Sequence, residues 1–180
     1  MRTNKLVLKY IELSNLKGNL LDKIKVLSTA ELNHKFSESE WCITQVIDHL
    51  VESETGINKY INFRLKNINE QPSVGLTNYI KRKVLNKKLK SEEKFKVPSG
   101  LSQPEAGADF EQLKEKWDDS RMFLIKTVET FPKDKMNKAV FMHPRAGLLS
   151  MNHTMSFFIN HLKHHIPQVD SLLLRLENQK

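Results

Sequence analysis

A single cysteine, Cys42, occurs in the 180 residues. No internal disulfide can form, and a cysteine-built zinc cluster within one chain is excluded. Any metal has to be held by histidine or carboxylate. No run of 18 apolar residues is present, so no segment is suited to span a bilayer. The stretch Met1 to Lys9 lacks both the unbroken apolar core and the small-residue cleavage site of a secretory signal, so the expected location is the cytoplasm. Internal repeats, low-complexity tracts and a strong strand pattern are also missing.

What remains is a chain with 39% hydrophobic and 28% charged residues, the balance of a globular protein. Its length suits one domain, residues 1–180, burying roughly 70% of the surface that its unfolded form exposes. The net charge of +8 is unevenly spread. Residues 81–96, KRKVLNKKLKSEEKFK, carry eight basic and two acidic side chains and so hold most of the excess. Such a run is usually a solvated helix face, and without interleaved aromatic residues before Phe95 it is a weak signal for nucleic acid.

Apolar residues three and four apart predict four long helices in an all-α bundle. The first covers Asn4 to Leu27 through Leu6, Tyr10, Leu13, Leu20, Leu21 and Ile24, with Ser28 or Thr29 ending it or capping a short turn. The second starts near Trp41, with Ser37 and Glu40 in capping-box spacing upstream, and extends to about Lys66. The third runs from about Asp109 to Thr130 and stops at Pro132. The fourth runs from Ser150 as N-cap to about Glu177. Between the second and third lies a long connection with a short extra helix, Thr77 to Lys90, and a loop punctuated by Pro98, Gly100, Pro104 and Gly107.

Histidines stand beside two of the apolar stripes. At about 100° per residue, His165 lies next to the stripe of the last helix and His161 slightly further round. Their i, i+4 spacing allows two imidazoles on one face to share a metal. His49 holds the matching position beside Ile43, Val46, Leu50 and Ile57, and bundles build metal sites from inward-facing residues of neighbouring helices. Spacing alone does not settle it: a lone His49 is more often a structural or exposed histidine, and an isolated His-x-x-x-His is more often non-metal than metal. By the same rotation His153 faces solvent, His164 faces outward or supports a neighbour, and His34 and His143 fall in loops. Glu52, one turn after His49, is a candidate acid-base or supporting group whose position on a helix flank also fits plain solvation.

Four pieces in order resemble the DinB/YfiT-like superfamily. Trp41 to Leu50 (WCITQVIDHL) is similar to the family's Trp-Ser-x-x-x-x-x-x-His-Leu, and Phe95 to Pro98 to its Phe-Lys-x-Pro. His143 to Gly147 is similar to its His-Pro-x-x-Gly turn, and His161 to Gln168 to its His-x-x-x-His-x-x-Gln. Cys42 departs from the usual serine, and Pro167 stands inside the last helix, where it removes the hydrogen bond to the Lys163 carbonyl. The resemblance implies a four-helix bundle of unusual connectivity, a homodimer, and a divalent metal on His49, His161 and His165. Imidazole suits zinc, nickel, iron and copper, and three neutral ligands leave a coordination position open for chemistry. The family is a mixed set; the leading expectation is transfer chemistry of the thiol S-transferase type with a low-molecular-weight thiol as cosubstrate, resting on the open three-histidine site and on the basic segment 81–96 as a receiver of the thiol's carboxylates. Metal-dependent hydrolysis of a small molecule is the alternative enzyme, and a non-catalytic metal- or ligand-binding or nucleic-acid-binding bundle is the reading from another class.

Overall fold

The computed structural model describes residues 4–75, 104 and 107–179. Its elements in chain order are α1 (Lys5–Ile24), the one-turn α2 (Thr29–Leu32), α3 (Ile43–Leu65), α4 (Phe110–Thr130), a 3₁₀ turn (Lys133–Lys135), β1 (Ala139–His143), β2 (Gly147–Ser150) and α5 (Met151–Glu177). The class is mainly helical, and four long helices make the bundle. The extra helix at Thr77 to Lys90, the Phe95 to Pro98 motif and the basic segment 81–96 lie outside the described residues.

Local chemistry explains most helix starts. Asn4 accepts from the Leu6 N–H at α1, and Asp109 accepts from the Glu111 and Gln112 N–H groups at α4. Ser28 and Glu31 form a reciprocal capping box that starts α2. The box expected of Ser37 and Glu40 is not the one that opens α3. That helix begins two residues after Trp41, and Gln45 Oε1 accepts from the Cys42 N–H at 3.1 Å. Glu40 is engaged elsewhere, accepting from Arg175 Nη1 at 3.0 Å. Its spacing from Ser37 imitates a cap while its carboxylate holds the carboxyl-terminal end of α5.

The helices pack α1 on α5 and α4, and α3 on α4 and α5. Predicted stripes meet in one core: Leu6, Leu13 and Leu20 of α1; Ile43, Val46, Ile47 and Ile61 of α3; Leu113, Trp117 and Leu124 of α4; Met151, Met155, Phe158, Leu162 and Val169 of α5. Each buried aliphatic or aromatic side chain contributes about 1.5–3 kcal/mol, so these four faces carry the stability of the bundle. Polar ties fix the register of α1 on α5. Lys9 Nζ donates to the Asn152 carbonyl, to Asn152 Oδ1 and to Ser156 Oγ, and Lys23 pairs with Asp170. Helix α5 continues through Pro167 without interruption.

One local expectation, that no strand forms, needs correction within a class that stays mainly helical. Residues 139–150 form an antiparallel hairpin with Met142 opposite Leu148 and His143 opposite Gly147. Gly147 sits at φ +71°, where a side chain is disfavoured, and closes the turn. β2 passes into α5 with no intervening residue, Ser150 ending one and standing at the N-cap position of the other.

Charge also enters the core. Glu54, 5% exposed, accepts from Trp117 Nε1 at 2.8 Å and from Arg121 Nε at 2.7 Å. Lys17 stacks over the Trp117 ring and pairs with Asp118. Such groups stay buried only when paired.

Candidate metal centre

Helix α3 contributes His49 and α5 contributes His161 and His165. His49 Nε2 and His161 Nε2 stand 3.1 Å apart, and the ligating atoms of all three lie within 4.8 Å of one another. Two nitrogens bound tetrahedrally to one zinc ion at ~2.0–2.1 Å stand about 3.3 Å apart, so the His49–His161 pair stands close to ligand spacing, and a shared ion draws the third imidazole inward. His49 and His161 are half-buried and His165 is buried. All three rings pack edge to face with centroids 4.9–5.1 Å apart. Among the described residues this is the cluster of histidine, cysteine and acidic side chains able to hold a metal.

Electrostatics favour the neutral, ligating form. Burial pushes His165 from the ordinary 6.5 down to about 4, against the opposing hydrogen bond from Gln168, and the neighbouring His49 and His164 add to the depression. Burial lowers His161 well below its ordinary value, with His165 and His49 acting in the same direction. His49 is lowered by burial and then by His164. His165 Nδ1 and Gln168 Oε1 lie 3.0 Å apart. With Oε1 as acceptor, Nδ1 carries the proton and the Nε2 lone pair is left for a ligand, the usual arrangement behind a metal-binding histidine.

Rings frame the centre. Trp41 packs on His49 at 5.2 Å, and Phe157 stacks on His161 at 5.3 Å with 14° between planes. Glu52 is exposed and pairs with Lys116 of α4, so the expected helper is a surface ion pair. His153 differs from its expected solvent-facing place: it is half-buried, with Nδ1 2.9 Å from Ser150 Oγ. Its position three residues after the cap turns it back onto the helix start. His143 is a strand residue rather than a loop residue, and its ring packs on Phe157 at 4.8 Å. His164 rests on His165, as a supporting neighbour would, and His34 stays in a loop against Phe36. The residues missed by sequence reasoning are Phe157 and Trp41 as ring neighbours, for which spacing gives no signal beyond that of core aromatics.

Fold and site together define a helical bundle carrying three convergent imidazoles between two of its helices. The model of the DinB superfamily matches residues 13–169, and the chain belongs to that superfamily. It is 26% identical to "Uncharacterized protein YuaE" of Bacillus subtilis over 156 residues, covering 87% of this chain and 91% of YuaE. It is 24% identical to "Putative metal-dependent hydrolase YfiT" of Bacillus subtilis, covering 93% of this chain and 84% of YfiT. The solved structure of YfiT, described as "a probable metal-dependent hydrolase with an unusual four-helix bundle topology", superposes with a TM-score of 0.62 at 17% identity. That match covers 98% of this chain and 90% of YfiT, and it supports the fold.

Proposed function

We propose that this protein is a metal-dependent hydrolase of a small molecule, with His49, His161 and His165 as the ligands of one divalent ion. The observation that carries the reading is the convergence of three imidazole nitrogens within 4.8 Å, all favoured in the neutral state. The printed names of relatives such as YfiT support the reaction class. Zinc, nickel and iron all suit the donor set. An ion in this position supplies Lewis acidity, polarising a carbonyl or phosphoryl oxygen and lowering the pKa of water.

The chain's own residues do the rest. The two-helix origin of the imidazoles fixes their mutual angle through core packing rather than through loop geometry. Gln168 sets the tautomer and tilt of His165. Trp41 and Phe157 limit rotation of His49 and His161 and exclude water from that side. Three protein ligands leave room for a substrate atom, which separates this site from a closed structural one. Thiol-dependent transfer would use the same imidazoles, but its added support, the basic segment 81–96 as a carboxylate receiver, lies outside the described residues.

The test is elemental analysis of protein purified without an affinity tag or chelator, beside His161→Ala, followed by assay of esters, amides, phosphates and thiol conjugation. Stoichiometric metal lost in the variant, with metal-dependent cleavage of one ester, amide or phosphate class, is the expected result. Equal metal content in both proteins would sink the ligand assignment, and thiol conjugation without hydrolysis would replace the reaction.

A further inference from the structure

The turn beside the metal centre carries a histidine whose protonation pattern is dictated by backbone. His143 Nδ1 accepts from two amides, Arg145 N–H and Ala146 N–H, each at 3.1 Å. Backbone N–H groups can only donate, so Nδ1 is unprotonated and the proton of the neutral ring sits on Nε2. Burial, aided by Arg145, takes this imidazole down to about 4, so the ring is neutral at pH 7. The Nε2–H makes no hydrogen bond to any described residue. The Nε2 atom of this half-buried ring reaches solvent, so water or a ligand accepts from its N–H.

Its surroundings specify what that ligand looks like. Tyr60, Phe141, His143, Phe157 and His161 form a run of half-buried rings with successive centroids 5.7, 6.1, 4.8 and 5.3 Å apart. His143 is the one member of the run, apart from the cluster histidine and the hydroxyl of Tyr60, that offers a polar hydrogen. The Tyr60 oxygen is already held by Arg64 Nε and Nη2. The run is therefore apolar, its rings set mostly edge to face, with one fixed donor a single phenyl ring away from the metal cluster.

We infer that His143 is a positioning residue for the ligand of this site: its Nε2–H donates to an oxygen of a small carbonyl or carboxylate compound whose apolar part lies against Phe141 and Phe157. The inference builds on the reading of the three-histidine cluster as a metal centre, which places the reacting end of that compound. The imidazole thus has two separable duties, the turn on Nδ1 and the ligand on Nε2.

Two substitutions separate the duties. His143→Asn keeps an oxygen where Nδ1 accepts the turn amides and removes the distal donor. His143→Gln keeps an N–H near the Nε2 position and gives up the turn acceptor. Benzoate and acetate are titrated calorimetrically into wild type and both variants, with and without one equivalent of cobalt(II), whose visible absorption reports metal loading independently. Expected are tighter binding of benzoate than acetate by wild type, roughly tenfold weaker benzoate binding by the Asn variant at unchanged Tm, and near wild-type binding by the Gln variant at lowered Tm. The inference is overturned if the Asn variant binds like wild type, if both variants weaken equally, or if wild type binds no benzoate. Failure of cobalt(II) to bind counts against the metal-centre reading, and the metal-free titrations then decide the role of His143.

Discussion

Protons and metal compete for the same lone pairs, and the burial of this cluster sets where that competition begins. At pH 5.5 an imidazole with the ordinary pKa of 6.5 is neutral in about one molecule in eleven, so three such ligands would bind a metal about a thousandfold more weakly than when all are neutral. His165, pushed down to about 4, is roughly 97% neutral at the same pH, and His49 and His161 are displaced in the same direction. The apparent Kd for cobalt(II) should therefore rise by less than about tenfold between pH 7.5 and 5.5, and climb steeply only as the pH approaches 4. Titration followed by the cobalt absorption band at pH 7.5, 6.5 and 5.5 measures this directly. A thousandfold loss by pH 5.5 would show that the imidazoles titrate as exposed groups and that the buried geometry is wrong.

Other outcomes follow from the same structure. In metal-free protein, His165 favours the neutral form in the fold relative to the unfolded chain. Its contribution is present above pH 6.5 and is lost as pH falls through that value to about 4, a decline of about 3 kcal/mol that urea unfolding across this range reads. Glu54→Ala strips the acceptor from buried Arg121 and Trp117, so it should cost about 3–5 kcal/mol and lower Tm by about 6 °C or more; a calorimetric shift under 2 °C would contradict the pairing. The double variant Glu54→Leu with Arg121→Met should recover most of the loss. Gln168→Ala should weaken metal binding by roughly 10–100-fold with little change in Tm, and Gln168→Glu, which keeps an acceptor for His165, should retain most of the affinity.

The long helices were legible because their apolar positions repeat over five or more turns and their ends are chemically marked: Asp109 caps the start of α4, Ser150 stands at the N-cap position of α5, and Pro132 follows the end of α4. Helical rotation puts His49, His161 and His165 beside buried stripes, but it was the family resemblance, and not spacing, that grouped them as one ligand set. The hairpin was not legible. Strands of four and five residues offer too few alternations, and β1 reads Ala139-Val140-Phe141-Met142-His143, apolar at all but its last position. The α3 capping box was misassigned because Ser37 and Glu40 satisfy a spacing rule while the glutamate's true partner, Arg175, lies 135 positions away. Glu54 was invisible as a core residue for a similar reason. Its burial depends on Arg121, 67 positions along on another helix, and only tertiary pairing makes a carboxylate there tolerable.

His49 and His161 are 112 positions apart in the chain yet 3.1 Å apart in space. An ion gripped by both would be a cross-link in a protein whose lone cysteine denies it any internal covalent one. Closing a loop of about 100 residues removes roughly 4.7 kcal/mol of freedom from an unfolded chain when the link is permanent. A coordinate link differs, because it dissolves when the helices part and cannot form before they meet. Capture of one ion by all three imidazoles is in this sense a report that α3 and α5 have found each other.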